Sequence, residues 1–202
     1  MALPGLAVAL LAAGRSTRFG TEDKLAADLG GRALIGWAAE AGRTVKAAHH
    51  LLVAPAGVDW ASHAPGYRLV VNSRPEAGMA HSLGLAARAA QDAGASALLV
   101  LLADMPFVTA EHLDAVLGGA AADEASAVFS CSPDGVAQPP ALFPTRAFAD
   151  LQALEGDRGA RGLATGSALV NADARLLLDI DTPEDLARAR TIVANTESKA
   201  PD

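Results

Sequence analysis

The stretch Leu10 to Leu25, LLAAGRSTRFGTEDKL, gathers Arg15, Arg18 and Lys24 around Gly14, Ser16 and Gly20. Glycines let a backbone approach a ligand closely, so that successive N–H groups can point at one charged group. Arginine then adds a planar fork of donors and lysine a mobile point charge. Together these residues suit a polyphosphate. The segment is neither of two common phosphate loops: five residues separate Gly14 from Gly20, no Lys-Ser or Lys-Thr follows Gly20, and G-x-G-x-x-G is absent.

Carboxylates that could hold a metal end two aliphatic runs. Asp104 closes ALLVLLAD, where Pro106 stops a strand from continuing, and Asp179 and Asp181 close LLLDID. Magnesium takes one or two carboxylates together with phosphate oxygens and water, so such a set beside a triphosphate is sufficient. Thr109, followed by Ala110 and Glu111, supplies a cap for the next helix and leaves Asp104 unclaimed. If LLLDID is extended, alternation puts Asp179 and Asp181 on one face, where one could close the metal site opposite Asp104. The competing reading is that this pair only helps Thr182 to cap the last helix.

Two further segments carry polar groups at useful places. GMAHSLGL, Gly78 to Leu85, opens a helix whose first N–H groups and Ser82 could bond a ligand edge, while Met79 and Leu83 pack. His81 is read as a solvated histidine. In GDRGAR, Asp157 and Arg161 could contact an anionic substrate, or equally form an Asx-turn and a surface ion pair.

The elements that must position these residues alternate between short aliphatic runs and Ala-rich amphipathic stretches. Strands are predicted near residues 6–11, 50–54, 68–71, 97–102 and 127–131, and helices near 33–45, 79–93, 110–117, 146–154 and 183–193. This implies a three-layer α/β sandwich with a mostly parallel, Rossmann-like sheet, in which ligands lie beyond the carboxyl ends of the strands. The 202 residues suit one domain, residues 1–194, with 195–202 a frayed tail. Half the residues are hydrophobic (51%) and 19% are charged, a globular composition. The net charge of −7 argues against general nucleic-acid or acidic-membrane binding, and the single Cys131 excludes an intramolecular disulfide. The apolar start is broken by Pro4 and Gly5, and no run has the length of a membrane span, so a cytoplasmic location is expected.

Taken in order, these motifs resemble the nucleotidyltransferases that finish the molybdenum cofactor, the molybdopterin nucleotidyltransferase family. Leu11, Ala12, Ala13, Gly14, Ser16, Arg18, Gly20 and Lys24 fill that family's L-A-A-G-x-S-x-R-x-G and following Lys. Gly78, Met79, Ser82 and Leu83 fit G-M-x-x-S-L, Asp104 to Pro106 fit D-M-P, Gly156 to Arg161 fit G-D-x-G-A-R, and Asp179 to Leu186 fit D-I-D-T-P-E-D-L. One departure is that neither Ala137 nor Gln138 supplies the glycine of the family's G-x-P turn.

The resemblance implies a glycosyltransferase-A-like, nucleotide-diphospho-sugar transferase type of fold. It implies transfer of CMP from CTP to the phosphate of molybdopterin, with release of pyrophosphate. Nucleotide contacts would come from Leu11, Ala12, Ala13, Gly14, Ser16, Arg18, Lys24, Gly78 and Ser82. Arg18, Lys24 and Asp104 would be catalytic, Asp104 and Asp181 would hold Mg2+, and Asp157 and Arg161 would meet the acceptor. The LAAG form goes with CTP and LAGG with GTP. A GTP-dependent guanylyltransferase, a nucleotidyltransferase for another phosphorylated acceptor and a non-catalytic cofactor carrier stay open as alternatives. A recipient molybdenum hydroxylase or its chaperone is the implied protein partner.

Overall fold

A computed structural model describes residues 3–12, 19, 23–119, 126–156 and 159–197, and of residues 159, 161 and 197 the backbone alone. In chain order the strands are β1 (Leu6–Leu11), β2 (Asp28–Leu29), β3 (Arg32–Ala33), β4 (His49–Ala54), β5 (Arg68–Val71), β6 (Ala97–Leu102), β7 (Val128–Cys131), β8 (Ala137–Pro144) and β9 (Ala168–Asn171). The helices are α1 (Leu34–Thr44), α2 (Gly78–Asp92), α3 (Ala110–Gly119), α4 (Phe148–Gln152) and α5 (Pro183–Glu197).

Seven strands form one sheet in the order β5-β4-β1-β6-β8-β7-β9, and β2 and β3 make a separate hairpin. The strands from β5 through β6 pair in parallel, which buries both faces and accounts for the uninterrupted aliphatic runs LAVALL and ALLVLL. β8 runs antiparallel to both β6 and β7, and β9 runs parallel to β7. Alternating β1 residues face opposite layers. Leu6, Val8 and Leu10 pack with α1, α3 and α5, whereas Ala7, Ala9 and Leu11 pack with α2 and α4. The alanines of α2 and β1 allow close approach of helix to sheet on that second face. The three-layer α/β architecture is therefore the one the sequence implies.

Three local features differ from the sequence reading. β8 is a strand despite Pro139 and Pro140, because Ser130 pairs with Gln138 and Phe129 with Ala141, so both prolines fall in a bulge outside the ladder. The run LLLDID is not a strand: it is a turn followed by irregular chain, held by the Ile180 N–H donating to the Asp104 carbonyl at 3.0 Å. α5 continues to Glu197, past Val193. Among the described residues, no helix is long and apolar enough to cross a membrane.

Candidate functional site

Lys24 sits on a short 3-10 turn, Lys24–Ala26, that is fixed from both sides. Asp23 caps the turn by accepting the Leu25 N–H at 3.0 Å, and its other oxygen accepts the indole N–H of buried Trp60. Leu25 enters the core beneath the turn. The Lys24 side chain is thereby aimed across the ends of the strands, where Nζ donates to Asp104 Oδ2 at 2.7 Å and to Asp181 Oδ1 at 3.0 Å. Burial alone would lower the ammonium's pKa. The charge of Asp104, the two hydrogen bonds and the charge of Asp179 outweigh it and hold the pKa above the usual lysine value.

Asp104 lies just beyond the end of β6, and the bond from Ile180 N–H to its carbonyl brings the second carboxylate pair alongside. Ile180 itself is fully buried, so the chain is pinned between the two aspartates that flank it. One oxygen from each of Asp104, Asp179 and Asp181 lies within 4.8 Å of the others. Helix α5 has its own cap: Asp185 N–H donates to Thr182 Oγ1 at 3.2 Å, and Thr182 N–H donates back to Asp185 Oδ2 at 3.0 Å. The Asp181 carboxylate faces Lys24, so capping is not what it is needed for. Thr109 caps α3 as expected, its Oγ1 accepting the His112 N–H at 3.3 Å.

The trio is an all-oxygen donor set, which suits a hard divalent cation. Its electrostatics point the same way. Desolvation, then the charges of Asp104 and Asp181, push Asp179 up to about 7 against the pull of Lys24. A divalent ion would relieve the repulsion that raises it. Sequence reasoning named Asp104 and Asp181 as ligands, and the structure brings Asp179 to the same point. The D-x-D spacing was the available signal, but the irregular chain, rather than strand alternation, makes both carboxylates converge.

A cavity of about 170 Å³ opens beside the trio, and Leu11, Met79, Leu83, Phe129, Gln138 and Asp179 are among its walls. Asp179 belongs to both features. Gly78 opens α2 with φ of +85°, a conformation that only glycine adopts without strain, and so sets the direction in which Met79 enters the cavity wall. Ser82 lies one turn further on and is buried, its Oγ accepting the Asn72 amide N–H at 3.0 Å. Asn72, which directly follows β5, was not singled out from sequence. The buried His112 and Ser130, joined at 2.8 Å behind the cavity, were also missed, because nothing in a sequence shows which polar residues pair inside a core.

Leu11 and Ala12 are buried at the mouth of β1, with the Ala12 N–H bonded to Val53 O at 2.9 Å and Leu11 O accepting the Ala103 N–H at 3.0 Å. These bonds hold the end of β1 beside Ala103, the residue before Asp104. Ala13, Gly14, Ser16, Arg18 and Asp157 lie outside the described residues, as does the side chain of Arg161.

The purine catabolism protein PucB of Bacillus subtilis (strain 168) is 34% identical over 206 residues, which cover 94% of this chain and 98% of that protein. Rv0371C of Mycobacterium tuberculosis H37Rv, solved in complex with manganese, shares the fold with a TM-score of 0.74 at 21% identity, over 93% of this chain and 98% of that one. Molybdopterin-guanine dinucleotide biosynthesis protein A of Archaeoglobus fulgidus shares it with a TM-score of 0.72 at 20% identity, over 94% and 99%. From residue 8 to residue 183 the chain matches the MobA-like NTP transferase domain, and it belongs to that nucleotidyltransferase family.

Proposed function

We propose that this chain transfers CMP from CTP to the terminal phosphate of molybdopterin, with Mg2+ as the metal. The observation that carries the reading is the shared position of Asp179, which joins an acidic trio with a buried lysine to an apolar cavity. Such a site suits a nucleoside triphosphate on one side and an acceptor with both a ring system and a phosphate on the other. The name of the Archaeoglobus fulgidus protein, which refers to a molybdopterin dinucleotide, supports an acceptor of that class.

In this reaction an acceptor phosphate oxygen bonds to the α-phosphorus, the bond from that phosphorus to the bridging oxygen breaks, and pyrophosphate leaves with the electron pair. No general base is required, because the acceptor phosphate is already ionised. Bound Mg2+, held by Asp104 and Asp181 with Asp179 beside them, would neutralise charge on phosphate oxygens. Lys24 stabilises negative charge on the leaving group, and Arg18 and the backbone N–H groups of the glycine-containing segment from Ala13 would act with it. The LAAG sequence supports the pyrimidine nucleotide. A molybdenum hydroxylase, or its chaperone, would then receive the product.

The test is pyrophosphate release by the purified protein with Mg2+ and molybdopterin, given CTP, GTP, ATP or UTP separately. Release with CTP alone is the expected result. Release with GTP alone would keep the chemistry and replace the nucleotide. Tight binding of molybdopterin without release from any nucleotide would make the chain a carrier.

A further inference from the structure

We propose that Gln138 discriminates among acceptors at the cavity, and that the buried His112–Ser130 pair is a positioning device for it. The identity of the cavity's β8 end, where Gln138 stands, as the acceptor side rests on the transferase reading above, in which Leu11 and the start of α2 at its β1 end serve the nucleotide.

Gln138 and Asp179 are the polar side chains among the described residues that line the cavity; the other walls are aliphatic, aromatic or thioether surface. Asp179 belongs to the metal end. Gln138 is therefore the wall group that can both donate and accept a hydrogen bond at one edge of a ring, and its amide has no hydrogen-bond partner among the described residues. A site of this kind takes a heterocycle that lays its faces on apolar walls and presents a donor next to an acceptor at one edge, with its phosphate directed toward Asp179 and Lys24. In a mostly apolar pocket a single such contact sets specificity, because an unsuitable ligand leaves the amide desolvated and unpaired.

The backbone of Gln138 is held by an unusual construction. Pro139 and Pro140, which follow it, lie in the bulge and have no N–H to give a neighbouring strand. The Pro140 carbonyl instead accepts the Ser130 hydroxyl at 2.7 Å, and Ser130 Oγ lies 2.8 Å from His112 Nε2. Ser130 has one hydroxyl proton and gives it to Pro140, so His112 is assigned as the Nε2–H donor. Both side chains are buried, where leaving any member of the chain unpaired is costly. Helix α3 and strand β7 thus fix the two-proline bulge, and the bulge fixes the residue immediately before it at the cavity wall.

The experiment measures molybdopterin binding by isothermal titration calorimetry, together with the KM for CTP, in wild type, Gln138→Ala, Ser130→Ala and His112→Gln. Each variant is assayed well below its own Tm. Loss of one hydrogen bond in the cavity predicts an acceptor Kd about tenfold weaker for Gln138→Ala, with the KM for CTP within about twofold of wild type. Ser130→Ala should weaken the acceptor in the same direction and likewise spare CTP, which a general loss of structure would not do, whereas His112→Gln, whose amide keeps a donor toward Ser130, should retain the wild-type affinity. Wild-type affinity in Gln138→Ala, an equal rise in the KM for CTP, or no binding of molybdopterin by wild type would overturn the inference. Wild-type protein that binds molybdopterin but releases no pyrophosphate would instead overturn the transferase reading, with Gln138 still judged by its Kd.

Discussion

Lys24 Nζ and Asp104 Oδ2 are 2.7 Å apart although 80 positions separate them in the chain, and the same ammonium also bonds Asp181. The lysine therefore occupies the oxygens that a divalent cation would use. Three carboxylates gathered at one point need a counter-charge, and Lys24 provides one. Nucleotide and metal arriving together would free the ammonium to meet phosphate oxygens.

Replacing Lys24 with methionine separates these roles. Without the competing ammonium, the trio should bind Mn2+ about tenfold more tightly in the absence of nucleotide, measured by electron paramagnetic resonance. Pyrophosphate release should fall by about 10²-fold or more, as for loss of a group that stabilises developing charge. Unchanged or weaker Mn2+ binding would show that lysine and metal do not compete.

Asp179→Asn tests the third carboxylate. Ionised Asp179 is disfavoured in the fold by its surroundings, so the metal-free variant should melt above wild type at pH 8. Its affinity for Mn2+ should fall, measured in the same titration. A lower Tm together with unchanged metal affinity would remove Asp179 from the site.

Trp60→Phe removes the donor to Asp23 while keeping an aromatic ring in the core. The cost in stability should be about 1 kcal/mol, the typical net value of one hydrogen bond, read from urea denaturation. Because Asp23 carries the turn that aims Lys24, turnover should fall more than stability suggests, with acceptor affinity kept. Unchanged turnover would mean that the turn holds its place without Trp60.

Acid should weaken the fold through His112, whose pKa is lowered by desolvation. Above the unfolded value near 6.5 the histidine is neutral in both states and contributes no pH dependence. As pH falls below that value the unfolded chain takes up the proton first, so stability is lost until the folded side chain also titrates. Between pH 7 and pH 5 the Tm of wild type should decline more steeply than that of His112→Gln. Parallel declines would contradict the assignment.

Much of this architecture was legible because its determinants are local. LAVALL and ALLVLL are buried on both faces and read as strands at once, and Thr182 with Asp185 marks the start of the last helix. β8 was hidden because Pro139 and Pro140 speak against a strand unless a bulge is known to receive them. The convergence of Asp179 and Asp181 was anticipated on the wrong geometry, since a tertiary bond from Ile180 to Asp104, and not a strand's pleat, sets it. Asn72 with Ser82, and His112 with Ser130, were beyond reach for a similar reason: each is a pairing of residues that only packing brings together. Arg18, Asp157 and the Arg161 side chain keep the roles that the resemblance gives them, as proposals.

The proposed reaction moves a nucleotidyl group from a triphosphate to a molybdopterin phosphate at the Lys24–Asp104 site. It is tested most directly by incubating the protein with Mg2+, molybdopterin and CTP labelled at the α-phosphorus, then following the label. Label should appear on molybdopterin in step with pyrophosphate, and neither should appear with Asp104→Ala. Label that stays in CTP while molybdopterin is bound, or transfer that persists in Asp104→Ala, would contradict it.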